Sequence, residues 1–214
     1  MVHILGLCAS PRREGATAYA LRMALEGAQG VSEEIETSMV TLAGKRIAPC
    51  TDCKACIRSH SWCVIPDDMR TLVEQLDQAD GILVASPVYC MGPTPQLSAF
   101  CSRLRAIRDC FPGLLRGKFL AALAVGGTRN GGQETTVAAI HNLFGIRGMN
   151  LVTNEPREYM GGRVWYDDAG AEGAQRDTLG MAGAVSLGRR LAETTLIYSY
   201  GKQVWAQRQE TTNP

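Results

Sequence analysis

Four of the eight cysteines in this sequence fall within fourteen residues, in the segment C-T-D-C-K-A-C-I-R-S-H-S-W-C. Cys50, Cys53 and Cys56 are each separated by two residues, and Cys63 follows after six more. Three cysteines at this spacing can bind three corners of a cubane cluster, and the longer gap lets the chain reach the fourth iron. Because the sequence has no second run of this kind, Cys63 most simply completes the same cluster.

Two other interpretations of the cysteine segment stay open. Zinc is one, although structural zinc sites usually pair two well-separated C-x-x-C motifs, a geometry that three crowded cysteines suit less well. Metal-free thiols are the other. His60 lies in the six-residue gap and is a candidate substitute ligand, but a solvated loop histidine is the simpler interpretation. Trp62 is expected to shield the site or to pack on a partner subunit.

The loop C-A-S-P-R-R-E-G-A-T, residues 8–17, could bind an anion. It follows an apolar run and precedes a helical pattern, but it is neither a G-x-G-x-x-G fingerprint nor a Walker loop. Ser10 and Thr17 supply hydroxyls, and Arg12 supplies a positive charge. With the exposed amides of a helix N-terminus, these groups suit a terminal phosphate. A plain turn with a Ser or Thr cap is the alternative.

Two further loops carry an aromatic side chain and a set of glycines. Residues 86–95, S-P-V-Y-C-M-G-P-T-P, offer the ring of Tyr89, unless that ring is merely packed. Residues 126–134, G-G-T-R-N-G-G-Q-E, allow a close approach of backbone to a ligand, unless they are only a flexible connection. Three such loops at one end of a sheet would suit a mononucleotide flavin.

The elements that must position these loops alternate between strands and helices. The sequence predicts strands at 2–8, 35–42, 80–87, 118–127 and 149–154, and helical spacing predicts helices at 16–28, 67–79, 95–109 and 132–144. This order predicts a doubly wound α/β fold with five parallel strands and helices on both faces. Residues 176–208 are predicted to be helical, with a break near Gly201. The aromatic segment 161–168 is expected to cover the flavin or to lie in a dimer interface.

Composition narrows the class of protein. The 214 residues carry a net charge of +1, which gives no sign of a nucleic-acid partner. No apolar run reaches the ~20 residues that span a bilayer, and the first residues lack the pattern of a signal peptide. We therefore expect one cytoplasmic domain over residues 1–214 that does not bind a membrane. A cysteine-rich insertion is expected at about 44–66.

Several charged residues are expected to have simple structural roles. Asp67 and Asp68 precede a helical pattern and are expected to cap that helix, because acidic side chains stabilise a helix N-terminus. Arg103, Arg105 and Arg108 are expected to lie on a solvated helix face, although they could also attract a phosphorylated cofactor or an acidic redox protein.

Taken together, G-L-C-A-S-P-R-R-E-G-A-T, A-D-G-I-L-V-A-S-P-V-Y and G-G-T-R-N-G-G-Q-E-T-T resemble the NADPH-dependent FMN reductase superfamily of flavodoxin-like proteins. The cysteine segment adds a resemblance to its iron–sulfur flavoprotein branch. The likeness covers about residues 2–153 in order. It implies a flavodoxin-like fold, FMN and a [4Fe–4S] cluster as cofactors, and cluster ligation by Cys50, Cys53, Cys56 and Cys63.

The resemblance also implies which residues contact FMN. The phosphate would be held by Ser10, Arg12 and Thr17. The isoalloxazine would be lined by Pro87, Val88, Tyr89 and Met91, and its other edge by Gly126, Gly127, Gly131 and Gly132. Two positions depart from the family pattern. Ala16 stands where an asparagine is frequent, and Cys90 stands where an aromatic residue is common. We expect Cys90 to be a small buried side chain.

The sequence leaves three functions to weigh. The first is an FMN- and [4Fe–4S]-containing flavoprotein that transfers electrons between a ferredoxin-like one-electron carrier and a two-electron partner. The second is an NAD(P)H-dependent reductase of free flavin, quinones or nitro compounds, with incidental cysteines. The third is a redox sensor without catalysis. The resemblance implies a homodimer or homotetramer in which one subunit's cluster lies near another's flavin.

Overall fold

The computed structural model describes residues 1–212, and its secondary structure follows the predicted alternation. The strands are β1 (Val2–Cys8), β2 (Ile35–Thr41), β3 (Gly81–Pro87), β4 (Phe119–Gly126), β5 (Asn150–Leu151) and β6 (Gly162–Trp165). The helices are α1 (Ala16–Gln29), α2 (Ala55–Ser59), α3 (Met69–Gln78), α4 (Pro95–Arg103), α5 (Arg105–Cys110), α6 (Gln133–Gly145), α7 (Gly170–Arg176) and α8 (Thr178–Thr212).

The strands form one parallel sheet in the order β2-β1-β3-β4-β5, with β6 also paired to β4. The chain starts in the interior of the sheet at β1, winds outward to β2, and crosses back to β3 on the other side. The predicted doubly wound α/β fold is therefore confirmed. Because the strands are parallel, the loops that follow β1, β3 and β4 leave from the same edge of the sheet.

The fifth position of the sheet is filled by two short strands rather than by the single strand expected at 149–154. β5 pairs with the start of β4, where Asn150 is opposite Phe119. The chain then leaves the sheet and returns as β6, which pairs with the end of β4 and sets Trp165 opposite Gly126. The segment predicted as an aromatic loop at 161–168 thus begins as a strand, and residues 166–168 follow it at the carboxyl edge.

Strand alternation creates a hydrophobic core on each face of the sheet. Ile4 and Leu83 point to the face covered by α1 and α8. Leu5 and Ile82 point to the opposite face, which is covered by α3, α4 and α6. Burial on both sides explains why these strands are continuous apolar runs.

Helix α8 packs closely on α1 and then extends past the body of the protein. A Cβ atom at Gly188 would collide with the backbone of Ala24, so a glycine is required at this crossing. The helix runs through Gly201 without the predicted break, and residues 201–210 are exposed. Within residues 1–212, no helix is both long enough and apolar enough to cross a membrane.

Candidate functional site

The loop after β1 delivers free backbone amides and two buried hydroxyls to the carboxyl edge. Ser10 and Thr17 are buried, and the Ser10 hydroxyl accepts a 3.1 Å hydrogen bond from the Arg12 N–H. Helix α1 begins after Gly15 with no side-chain cap and no acidic residue in its first turn. Its first N–H groups therefore keep their full partial positive charge and suit an anion. Arg12 is exposed at this helix start.

Buried Thr94 ties the loop after β3 to the loop after β1. Its hydroxyl donates to the Ala9 carbonyl at 2.8 Å, and its N–H donates to the Ser86 hydroxyl at 3.1 Å. Within the loop after β3, Tyr89 and Gly92 exchange two backbone hydrogen bonds of 2.8 and 2.9 Å. This turn holds Tyr89 and Met91 partly exposed at the edge.

The structure corrects the expectation for Cys90, which is exposed rather than buried. Cys90 and Met91 are the two central residues of the Tyr89–Gly92 turn, with φ angles of 48° and 65°. A tight turn of this hand needs positive φ at both central positions, which directs both side chains away from the core.

The buried side chain of Gln133 closes the glycine loop after β4. It accepts from the Gly131 N–H at 2.8 Å and donates to the Thr128 carbonyl at 2.5 Å. Gly132 has a φ of 95°, and a Cβ atom there would lie 2.8 Å from the Met91 sulfur and 2.9 Å from its Cα. The loops after β3 and β4 are therefore in contact, and a glycine is needed where they meet.

A fourth loop follows β6, in the segment 161–168 for which the sequence left open a flavin cover or a dimer interface. The Tyr166 N–H donates to the Gly126 carbonyl at 3.0 Å, so Tyr166 lies beside the glycine loop. Burial, followed by Asp168, raises the pKa of Tyr166, while the Arg12 charge acts in the opposite direction. Asp168 faces Gly127, where an added Cβ would lie 3.3 Å from Oδ1. The only sequence signal for this loop was its cluster of aromatic and acidic residues.

These contacts bring together the sequence-predicted residues of the first three loops. The uncapped start of α1 suits a phosphate, and the Gly126–Gly132 backbone together with the Tyr89 turn borders an open edge. Because the glycines have no side chains to obstruct this edge, a flat ring can approach the backbone closely. The arrangement therefore fits a planar group that carries a phosphate.

The cysteine segment is held on a platform formed by α4 and α5. The Cys50 N–H donates to the Ser102 hydroxyl at 3.0 Å. Arg105 pairs with Asp52, and Arg58 donates to the Cys53 carbonyl at 2.9 Å. Of the three arginines predicted to be solvated, Arg105 is half-buried and ion-paired, Arg103 is buried, and the side chain of Arg108 lies outside the described part of the structure.

Arg103 forms a buried ion pair with Asp67 at the base of the segment. The two side chains are 1% and 5% exposed, and the Arg103 Nη1–Asp67 Oδ2 distance is 2.7 Å. Asp67 also accepts from the Ala48 N–H at 3.0 Å, and Arg103 donates to the Ala48 carbonyl at 2.8 Å. Burial alone would raise the pKa of Asp67, but hydrogen bonds from Arg103, Ala48 and Met69 lower it.

The predicted capping role is therefore only part of what Asp67 does. Asp67 accepts from the Met69 N–H at the start of α3 at 3.2 Å, but its main contacts are with Arg103. Asp68 makes no capping hydrogen bond to α3 and instead accepts from the Arg46 N–H at 2.7 Å.

The four predicted ligand thiols lie in one segment of the chain, with Cys56 in α2, but are not gathered around a common point. Cys53 is exposed, and the Ala55 N–H is the main cause that lowers the pKa of its thiol. Burial, followed by the charges of Cys110, Cys63 and Cys50, raises the pKa of the Cys56 thiol. Within residues 1–212, no three Cys, His, Asp or Glu side chains are close enough to hold a metal ion.

Cys110, the last residue of α5, is a thiol of this site that sequence reasoning missed. Its Sγ donates to the Cys56 carbonyl oxygen at 3.2 Å. The adjacent rings of Phe111 and Trp62 stack with centroids 4.7 Å apart, which holds the end of α5 against the cysteine segment. Cys110 is 47 residues beyond Cys63, so no local spacing could reveal it.

Helix α4 connects the two candidate sites. Its N-cap Thr94 bonds to the loop after β1, and its last turn carries Ser102 and Arg103, which hold the cysteine segment. Nine residues at ~1.5 Å per residue give this helix a length of about 13 Å.

A separate cleft of about 340 Å³ opens on the far side of β6. Arg129, Asn154, Arg163 and Trp165 are among its walls, and none of the predicted flavin or cysteine ligands lines it. The glycine loop after β4 supplies Arg129, Asn130 and Gln133 to its wall, so the cleft adjoins the site formed by the loops after β1, β3, β4 and β6, here called the four-loop site.

Comparison with known proteins identifies the family. The NADPH-dependent FMN reductase family matches residues 2–156. An iron–sulfur flavoprotein of Methanocaldococcus jannaschii is 39% identical over 89% of this chain and 95% of its own. An iron–sulfur flavoprotein of Methanosarcina thermophila is 37% identical over 89% of this chain and 93% of its own.

Solved structures support the fold. A flavodoxin-like WrbA-like protein from Agrobacterium tumefaciens superposes with a TM-score of 0.60 at 14% identity, over 90% of this chain and 96% of that one. RosB superposes with a TM-score of 0.64 at 19% identity, over 98% of this chain and 88% of that one. From the family match and the full-length relatives, this chain belongs to the NADPH-dependent FMN reductase family and is a flavin-dependent oxidoreductase.

Proposed function

We propose that this chain is an iron–sulfur flavoprotein that transfers electrons between a one-electron carrier and a two-electron partner. The observation that carries this proposal is helix α4, which is bonded to the flavin loops at one end and to the cysteine segment at the other. Full-length relatives that are called iron–sulfur flavoproteins support the same reading. In this proposal, α4 joins the flavin site to the cluster site.

The four-loop site would bind FMN. Ser10, Arg12, Thr17 and the start of α1 would hold its phosphate. The isoalloxazine would be contacted by Pro87, Val88, Tyr89 and Met91 on one side and by Gly126, Gly127, Gly131 and Gly132 on the other. Tyr166 and Asp168 would close the remaining edge, where Asp168 places an acceptor beside Gly127.

The cysteine segment would hold a [4Fe–4S] cluster through Cys50, Cys53, Cys56 and Cys63. Their thiols have the right chemistry, and Cys50 and Cys63 are near enough to Cys56 for their charges to act on it, although the thiols are not gathered around one point. Arg103 adds a buried positive charge beside Cys63. When bound, a flavin exchanges one or two electrons and the cluster exchanges one, so the pair converts between carriers.

The proposed partners follow from this chemistry. A ferredoxin-like protein or NAD(P)H would supply the electrons, and neither a nucleic acid nor a membrane is required. We place the chain in the cytoplasm, where thiol ligands stay reduced.

The exposed end of α8 supports a homodimer or homotetramer. Ile197, Val204 and Trp205 are 69%, 51% and 67% exposed. Their spacing of seven and eight residues puts them on one stripe of the helix. An apolar stripe on a helix that leaves the body of the protein suits a second copy of the chain. Replacing Trp205 with glutamate should shift the mass measured by light scattering toward the monomer, and an unchanged mass would exclude this surface.

The direct test is the content of iron, acid-labile sulfide and FMN in protein purified without oxygen. The proposal predicts about four irons, four sulfides and one FMN per chain. Zinc in place of iron, or no iron after anaerobic reconstitution, would reject the cluster. Absence of FMN would reject the four-loop site.

A second candidate is an NAD(P)H-dependent FMN, quinone or nitro reductase without a functional cluster. The dispersed thiols favour it, because within residues 1–212 no three potential ligands are close enough to hold a metal ion. Rapid bleaching of the bound flavin by NADPH in iron-free protein would support this function. Slow bleaching by NADPH, with fast reduction by a one-electron donor, would support the first.

A further inference from the structure

Cys110 and Cys56 are in contact although 53 residues separate them in the sequence. The Cys110 sulfur lies 3.2 Å from the carbonyl oxygen of Cys56 itself, so it is within the immediate surroundings of that residue. Disulfide-linked cysteines need Cβ atoms within ~3.5–4.5 Å of each other. A sulfur this close to its partner's backbone is compatible with that requirement.

Two independent contacts hold this arrangement in place. The Trp62–Phe111 stack, with an interplanar angle of 23°, joins the residues next to Cys63 and Cys110. The Arg105–Asp52 ion pair joins the start of α5 to the residue before Cys53. Because both ends of α5 are bound to the cysteine segment, Cys110 is kept beside Cys56.

We propose that Cys56 and Cys110 form a disulfide in the oxidised, metal-free protein, which removes one ligand from the cysteine segment until a reductant restores it. The inference rests on the proposed cluster site only for this consequence. A low-molecular-weight disulfide such as oxidised glutathione is the oxidant. The Cys56 thiolate attacks it and releases one glutathione thiol. The Cys110 thiolate then attacks the Cys56 sulfur and releases the second.

The electrons and protons of these two steps balance. Two protein thiols are oxidised to one disulfide, and one glutathione disulfide is reduced to two thiols. The two protons lost by Cys56 and Cys110 are carried by the two released thiols. A thiol such as dithiothreitol reverses the exchange.

The chain is well suited to mapping this bond with trypsin. Cleavage after Lys and Arg leaves Cys56 in the peptide 55–58, Cys63 in 59–70 and Cys110 in 109–116, with Cys50 and Cys53 together in 47–54. Metal-free folded protein is equilibrated with oxidised and reduced glutathione, alkylated and digested. The expected main product is peptide 55–58 linked to peptide 109–116.

Matched variants separate this bond from general oxidation. Cys110→Ser should lose the linked peptide and carry glutathione on Cys56 instead. Cys90→Ser removes an exposed thiol outside the cysteine segment and should retain the link. Linkage of Cys56 to any other cysteine, or Cys110 alkylated as readily as Cys90, would overturn the inference.

Iron uptake tests the consequence separately. Oxidised wild-type protein should take up iron and sulfide only after dithiothreitol, and reduced Cys110→Ser should bind as much iron as reduced wild type. Loss of iron from reduced Cys110→Ser would overturn the proposal, because Cys110 would then be a ligand itself. If reduced wild type binds no iron, the cluster assignment fails, whereas the peptide map still decides the disulfide.

Discussion

Replacing Asp67 with alanine should loosen the cysteine segment and leave the flavin loops intact. Asp67 accepts from Arg103 at 2.7 and 3.2 Å and from the backbone N–H groups of Ala48 and Met69. Arg103 in turn donates to the carbonyls of Ala48 and Ile65, on either side of the cysteines. This pair therefore closes the base of the cysteine segment.

The expected loss of stability follows from the burial of the Asp67–Arg103 pair. Removing one partner of a buried ion pair typically costs about 3–5 kcal/mol, because the other charge stays buried without compensation. In Asp67→Ala, Arg103 still donates to the carbonyls of Ala48 and Ile65. We therefore expect the free energy of unfolding to fall by about 3 kcal/mol, at the lower end of this range. Urea unfolding followed by tryptophan fluorescence measures this loss, because the shift in midpoint at constant slope reports stability.

Two comparison variants separate the loss of the buried ion pair from other effects of the substitution. The double variant Asp67→Ala/Arg103→Met removes both charges and should be more stable than Asp67→Ala alone. Arg70→Ala breaks the exposed Arg70–Glu74 pair of α3 and should change the stability by less than about 1 kcal/mol. A loss below about 1 kcal/mol for Asp67→Ala, or a double variant no better than the single one, would refute the reasoning.

The contribution of Asp67 should also depend on pH in one direction. The hydrogen bonds lower its pKa in the folded protein below the ordinary value of about 3.9. The stabilisation is therefore complete above about pH 4 and is lost as the pH falls through the folded pKa. The difference between wild type and Asp67→Ala should shrink only in this acidic range.

Three further predictions concern single residues. Gly132→Ala should weaken FMN binding by about tenfold or more, since a side chain there requires an unfavourable φ and displaces Met91; flavin titration measures this, and Gly201→Ala, with open space around it, should bind FMN normally. Cys53→Ser should abolish iron binding while FMN binding persists, and loss of both cofactors would contradict the two-site arrangement. Burial lowers the pKa of His141, so the free energy of unfolding should fall as the pH drops below about 6.5. Urea unfolding at several pH values should show that His141→Leu removes this pH dependence. The variant of an exposed histidine, His60→Asn, should retain it.

Local patterns were sufficient for the main architecture. Strands β1, β3 and β4 are continuous apolar runs bounded by turn residues, and β1 was predicted at its observed limits. The three loops after β1, β3 and β4 followed directly, because parallel strands end at one edge. Turn geometry was harder to predict: no composition rule indicated that Cys90 would adopt a positive φ and be exposed.

Features that depend on distant residues were missed. β6 is a strand only because β4 offers it an open edge, so the role of Tyr166 and Asp168 could not be read from spacing. Arg103 was predicted to be solvated because its partner Asp67 is 36 residues away. The position of Cys110 beside Cys56 was not predicted for the same reason, because α5 contacts the cysteine segment only in the folded chain.

The path of electrons between the two sites is the remaining step of the proposal. Within one chain the two sites are joined through α4, which is about 13 Å long. Yet Cys53 is exposed, and so are Tyr89 and Met91 at the flavin edge. A second copy can therefore bring one chain's cysteine segment close to another's flavin loops, and we expect this shorter route to dominate.

Mixing two deficient variants would identify the route. The Gly132→Ala chain keeps an intact cysteine segment but binds flavin weakly. The Cys53→Ser chain binds flavin but holds no cluster. If the two are unfolded, refolded together and reconstituted, transfer between copies should restore part of the electron flow from a one-electron donor to a two-electron acceptor. A mixture no more active than the separate variants would show that each chain needs both sites and that α4 is the path. Native mass spectrometry on the same samples must show oligomers that contain one chain of each variant, because only mixed oligomers test transfer between copies.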